Sequence, residues 1–279
     1  MRVVRYAVEG GDPRTGIVRG DEVVDVGTLP PVELIAAGVT EPDGGRATPL
    51  ADVTLLPPVE RPPKFLAIGL NYADHAAEAN LATPEFPVVF AKLGSCVNRP
   101  FGAIERPRVS DQLDYEGELG IVIGRRCRHV SAADAPAAIA GYVVVNDVSV
   151  RDWQTRTPQW TLGKSFDTHG PIGPWLTTAD EVGDPHALGI RTWVNGELRQ
   201  ESNTQHLIFD CYALVEHLSA ACTLEPGDVI ATGTPAGVGM LMDPPRLLRA
   251  GDVVRVEIDR LGAIENRVVD EPAANDRRG

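Results

Sequence analysis

The stretch "LDYEGELGIVIG" (residues 113–124) places Glu116 and Glu118 two residues apart at the head of an apolar run. Side chains alternate across a strand, so the two carboxylates share one face, about 7 Å apart along the chain. Two such anions repel unless something positive lies between them. Asp147 closes a second apolar run, in "VVVNDVSVRD". A lone buried carboxylate costs several kcal/mol and calls for a partner. Three carboxylates meeting at one point would make an oxygen site for a hard divalent cation. Mg²⁺ suits it, with Mn²⁺ and Ca²⁺ as rivals and water or substrate oxygens completing the shell. Spacing alone leaves other readings open: Glu-x-Glu also suits a solvated strand face, and Asp147 a turn. The fully apolar continuation "GIVIG" argues against the solvated face.

Other reactive groups fall into short clusters. His75 and Glu78 in "NYADHAAE" are three apart and share a face if the segment is helical. An exposed helical ion pair is the plain alternative. Arg151 and Gln154 follow Asp147 by four and seven residues, so a short helix would put all three on one side. Arg is the natural bidentate partner for a carboxylate. Lys164 sits in the loop "LGKSFDTHGP", where Asp167 and His169 read as scaffolding, and Lys92 ends "PVVFAK". "ATGTPAGVG" lacks the Lys-Ser/Thr ending of a phosphate loop. No Ser occupies a G-x-S-x-G elbow.

The elements that must position these groups are short and β-rich. Residues 1–60 form a small β unit from "MRVVRYAVEG", "GIVRGDEVVDV" and "ADVTLLPPV", with a short helix in "PPVELIAAG". The Pro-rich "PPVERPPK" (57–64) marks the boundary, and residues 61–279 form the larger unit. There, strands are expected at 65–68, 87–92, 118–124 and 141–148. "SAADAPAAIAG" reads as a helix capped by Ser131, and a second helix is expected over about 206–221 by its apolar spacing. Asn195-Gly196 marks a hairpin, "AGDVVRVEIDRLGAIENRVV" a closing hairpin, and "DEPAANDRRG" a frayed tail. The sum is a mixed, β-dominated α+β chain without the βαβα alternation of a doubly wound sheet.

Composition narrows the partners. A net charge of −13 over 279 residues opposes binding to nucleic acid or anionic membranes. No stretch approaches the ~18 apolar residues of a membrane span. The cysteines at 96, 127, 211 and 222 match no CxxC motif, and the N-terminus meets charge before a signal-type apolar core can form. The reading is a cytoplasmic protein with reduced thiols.

Taken in order, "GLNYADHAAE", "FAK", "DYEGELGIVIG", "NDVSVRDWQ", "GKSFDTHGPIGP", "VNGELRQ" and "LEPGDVIATGTPAGVG" resemble the fumarylacetoacetate hydrolase superfamily over about residues 62–270. The resemblance implies a β-roll catalytic domain behind a small N-terminal β domain, a divalent metal on Glu116, Glu118 and Asp147, and a homodimer. It implies His75 with Glu78 as a general-base dyad and Lys164 directed at the metal site. Arg151, Gln154, Thr234, Gly233 and Lys92 would surround the substrate, a small 2-oxo acid. Hydrolysis of a C–C bond in an acylpyruvate-type diketo acid, through a metal-stabilised enolate, is the first expectation. A 2-oxo acid decarboxylase or a hydroxymuconate-type (2-hydroxyhepta-2,4-diene-1,7-dioate) isomerase comes next, and a non-catalytic metal-stabilised binding protein is the reading of another class. Distal specificity groups are expected in "HAAEANLATPEFP" and "TRTPQWTL".

Overall fold

The computed structural model describes residues 1–42, 44–78, 80 and 82–273. Its order begins with β1 (Arg2–Ala7), β2 (Arg14–Arg19), β3 (Glu22–Gly27), α1 (Pro31–Ala36), β4 (Ala47–Pro49) and β5 (Thr54–Leu56). It continues with β6 (Phe65–Gly69), α2 (Ala73–Glu78), β7 (Val88–Lys92), β8 (Val97–Asn98), β9 (Ile104–Arg106), β10 (Leu113–Asp114) and β11 (Gly117–Ile123). Then come β12 (Ile139–Asn146), β13 (Ser149–Val150), α3 (Arg151–Gln154), β14 (Gly170–Thr178) and α4 (Ala179–Val182). The chain closes with β15 (Gly189–Val194), β16 (Glu197–Asn203), α5 (Cys211–Ala221), β17 (Val229–Ala231), β18 (Val253–Ile258) and β19 (Gly262–Asp270).

A mixed 12-stranded sheet runs β4-β3-β2-β1-β14-β12-β11-β17-β6-β7, with β5 on β1 and β8 on β14. A five-stranded sheet, β16-β15-β18-β19-β9, packs against it. Strands β11 and β12 are covered on both faces. Leu119, Ile121 and Ile123 join a core with Ile190, Val256 and α5, while Val122, Val143 and Val145 join one on the opposite face with Phe65 and Phe90. Two-sided burial explains why both strands read as unbroken apolar runs. The β-dominated α+β class and the absence of regular βαβ units hold, since most pairings are antiparallel. No helix is long and apolar enough to cross a membrane among the described residues.

Two local expectations are corrected. "SAADAPAAIAG" yields only a 3₁₀ segment, Ala135–Ala138, because β12 begins at Ile139 and takes the rest. The Ser131 hydroxyl donates to the Asp134 carboxylate instead of capping an α-helix. Helix α5 starts at Cys211, five residues later than expected, since Asp210 caps it by accepting from Tyr212 and Ala213 N–H at 2.9 and 2.8 Å. The Asn195-Gly196 hairpin forms as read, with φ of 53° and 79°. Most of the tail expected to fray, residues 274–279, lies outside the described residues.

Candidate active site

The register of β11 on β12 assembles the carboxylates. Gly117 pairs with Asn146 and Glu118 with Val145. One step out, Asp147 N–H donates to the Glu116 carbonyl at 2.8 Å. Residues opposed across an antiparallel ladder share a face, so Glu116, Glu118 and Asp147 point to one side. Each offers an oxygen, and these oxygens lie within 4.8 Å of one another in a fully buried cluster. A slip of one residue would send Asp147 to the opposite face.

Three cations are threaded through this cluster. Lys164 Nζ donates to Glu116 Oε2 at 2.6 Å and Asp147 Oδ2 at 2.8 Å. Arg151 Nη1 donates to Glu116 Oε1 at 2.6 Å and Gln154 Oε1 at 3.0 Å. Lys92 Nζ donates to Asp147 Oδ1 at 2.7 Å, to the His169 carbonyl at 3.0 Å and to the Lys164 carbonyl. Burial pushes the Glu116 carboxyl up, but Lys164 and Arg151 outweigh it and hold the group down at about 2. Among the described residues Glu118 has no cationic hydrogen bond; it accepts Gly233 N–H at 2.7 Å. Burial, followed by the charges of Asp147 and Glu116, raises its carboxyl well above the ordinary range. Negative charge in the cluster is thus least compensated at Glu118. The donor set fits a hard divalent cation, which would supply the compensation Glu118 lacks.

A cavity of about 220 Å³ opens over the cluster. Glu116, Glu118, Lys164, Arg151, Gln154, His75 and Thr234 line its polar end; Ile68, Leu70, Phe90, Trp160, Met240 and Leu241 supply apolar wall. His75 Nδ1 lies 3.2 Å from Glu78 Oε2, and Glu78 Oε1 accepts Gly237 N–H at 3.0 Å. The dyad is therefore tied to the loop after β17. Thr234 Oγ1 donates to the Gly117 carbonyl at 3.0 Å and accepts from Gln200 Nε2 at 2.8 Å. Gly233, at φ 105°, sets its N–H on Glu118, and a Cβ there would lie 2.8 Å from Asn71 Cβ.

The structure brings His75, Glu78, Glu116, Glu118, Asp147, Lys164, Arg151, Gln154, Gly233 and Thr234 to one place. Lys92 is the exception to the substrate-contact expectation. It is buried behind Asp147, away from the cavity wall, with its three N–H bonds taken by the protein. Gly233 likewise serves Glu118, not the cavity surface. Arg151 does reach the cavity, but its Nε and Nη2 fork onto Asp114 Oδ2 at 3.0 and 2.8 Å. The sequence reading missed Asp114, although it stands on the same alternation as Glu116 and Glu118. It also missed Gln200, one polar residue among many in β16 and so without a local signal, and most of the apolar wall, although Trp160 falls in "TRTPQWTL", where distal groups are expected. His169 is scaffolding, as expected: its Nε2 bonds the Glu105 carbonyl at 2.8 Å.

Residues 64–269 match the family described as fumarylacetoacetate (FAA) hydrolase, C-terminal. The chain belongs to the fumarylacetoacetate hydrolase family. Residues 1–58 match a second family, described as Rv2993c-like, N-terminal. Among relatives of this hydrolase-family enzyme, the rat protein named mitochondrial oxaloacetate tautomerase Fahd2a is 42% identical over 287 residues, covering 96% of this chain and 92% of that protein. The crystal structure of 5-carboxymethyl-2-hydroxymuconate delta-isomerase from Mycobacterium smegmatis superposes with a TM-score of 0.83 at 40% identity, over 97% of this chain and 100% of the other. Maleylpyruvate hydrolase from Sphingobium sp. SYK-6, solved with manganese(II) and pyruvate, gives a TM-score of 0.80 at 34% identity, over 98% and 100%.

Proposed function

We propose that this enzyme moves a proton on the carbon beside the carbonyl of a short 2-oxo acid, interconverting keto and enol forms as a tautomerase or isomerase. The observation that carries the reading is one small cavity lined by His75, which Glu78 holds from behind, and by Glu116 and Glu118 of the three-carboxylate cluster. A divalent cation on Glu116, Glu118 and Asp147, with magnesium the first candidate and manganese the second, supplies Lewis-acid polarisation of the substrate oxygens when bound. Lys164 places a fixed ammonium beside the position where enolate charge develops. Glu78 orients the His75 imidazole, which takes the proton from carbon and returns it. Arg151 and Gln154 present N–H groups to the substrate carboxylate. The apolar wall limits water at the reacting carbon. The relatives named tautomerase and isomerase support proton transfer as the reaction.

A second reading is hydrolysis of a C–C bond in an acylpyruvate, with the dyad activating water. Its support is the similarity to maleylpyruvate hydrolase. Decarboxylation of oxaloacetate would use the same anchoring groups but give His75 a role only in reprotonation. The same family membership makes a homodimer the expected assembly. The decisive experiment follows enol absorbance of oxaloacetate and of an acylpyruvate, with CO₂ and pyruvate release, in Mg²⁺ and in EDTA. Keto–enol equilibration accelerated by Mg²⁺-enzyme, abolished by EDTA and by His75→Gln, is expected. Stoichiometric pyruvate from the acylpyruvate would install the hydrolase reading instead, and inertness toward all of them would overturn both.

A further inference from the structure

We propose that Asp114 is a positioning residue that locks the segment Gly237–Leu241 to Arg151 and thereby sets affinity for the oxo acid; this rests on the reading that the cavity binds such an acid. Asp114 is fully buried. Its Oδ2 accepts from Arg151 Nε and Nη2 and from Met240 N–H at 3.0, 2.8 and 2.9 Å. Its Oδ1 accepts from Gly239 N–H and Tyr115 N–H, both at 2.9 Å. Five donors on one carboxylate are far more than an ion pair with Arg151 needs, and two of them belong to a segment 125 residues away.

That segment forms cavity wall through Val238, Met240 and Leu241. Its near end is fixed separately: Gly237 N–H donates to Glu78 at 3.0 Å, and the Gly237 carbonyl accepts from Tyr115 Oη at 2.8 Å. The wall is therefore strapped at one end to the carboxylate that orients His75 and at the other to the carboxylate that orients Arg151. The fit at the far end is tight. A Cβ on Gly239 would lie 2.6 Å from Asp114 Oδ1 and 2.4 Å from the Arg246 carbonyl. Asp114 thus fixes, in one residue, both the guanidinium at the polar end and the apolar wall that faces it. An isosteric Asn cannot substitute, because either orientation turns an NH₂ toward at least two N–H donors.

The test uses the magnesium-loaded enzyme with oxalate as the bound probe and oxaloacetate as the substrate. Asp114→Asn is expected to weaken oxalate binding at least ~10-fold by calorimetry and to raise KM similarly, with kcat changed less than ~3-fold. Amide exchange at Gly239 and Met240 should accelerate while that of β11 and β12 stays at the wild-type rate. Gly239→Ala, which keeps the Asp114 carboxylate but crowds it against the segment, should reproduce the KM effect and carries the test if Asp114→Asn does not fold. Oxalate affinity within twofold of wild type in a folded variant with lowered Tm would reduce Asp114 to a structural ion pair and overturn the proposal. Wild-type enzyme that neither binds oxalate nor acts on oxaloacetate would instead sink the functional reading and this inference with it.

Discussion

Glu118 is the residue at which the cluster's charge balance fails. Its folded pKa lies above the unfolded value of 4.5, so it adds a folding penalty that grows as pH rises through and above that value. Glu118→Gln removes the ionisable group. The metal-free variant should therefore be at least as stable as wild type at neutral pH, while the stabilisation by Mg²⁺ disappears. Mg²⁺ bound at the proposed site should stabilise wild type by about 2.7 kcal/mol at a hundredfold excess over Kd, and thermal melts with and without Mg²⁺ read both quantities. His75 sits mostly buried at the cavity rim, and among the described residues its ring pairs with Glu78 alone, so its removal should spare the fold. His75→Gln is expected to lower kcat by about 10²–10⁴ with Tm nearly unchanged, measured by steady-state kinetics beside a melt.

At the scale of elements, the loop before β14 carries a titration the reaction does not use. His169 is fully buried, and burial pushes its imidazole down to about 4. The folded state thus prefers the neutral ring. Above the unfolded value of 6.5 nothing is lost; between 6.5 and about 4 the unfolded chain binds the extra proton and stability falls. The slope is about 1.4 kcal/mol per pH unit, or about 3 kcal/mol across the window. Urea unfolding at pH 7 and pH 5 should show it, and His169→Gln should flatten that part of the profile. The start of α5 is set by one side chain. Asp210→Ala removes both cap bonds and should cost about 1 kcal/mol by the same assay.

Across the whole molecule, the first strands extend the sheet that holds the site. β1 pairs with β14, which pairs with β12, the strand ending at Asp147. Val3 and Val4 are fully buried. Removal of residues 1–58 would bare the β14 edge and the apolar faces beneath it. The shortened chain is expected to melt at least ~10 °C lower and to aggregate, as followed by calorimetry and light scattering. A net charge of −13 acts at this scale too. It discourages phosphate backbones, while the cations at the site are held inward by Glu116, Asp147 and Asp114.

What the sequence determined is what lies within a few residues. Alternation placed Glu116 and Glu118 on one face, i,i+3 spacing joined His75 to Glu78, and Asn195-Gly196 turned its hairpin, because each depends on local backbone geometry alone. Ordered motifs supplied the family. Only the tertiary structure decided the pairings that span the chain: Asp147 opposite Glu116 by sheet register, Lys92 spent behind Asp147 and not on substrate, and Asp114 gripping Gly239 and Met240. These partners are chosen by which surfaces pack together, and a lysine or aspartate reads the same in sequence whether its charge faces a ligand or a neighbouring loop.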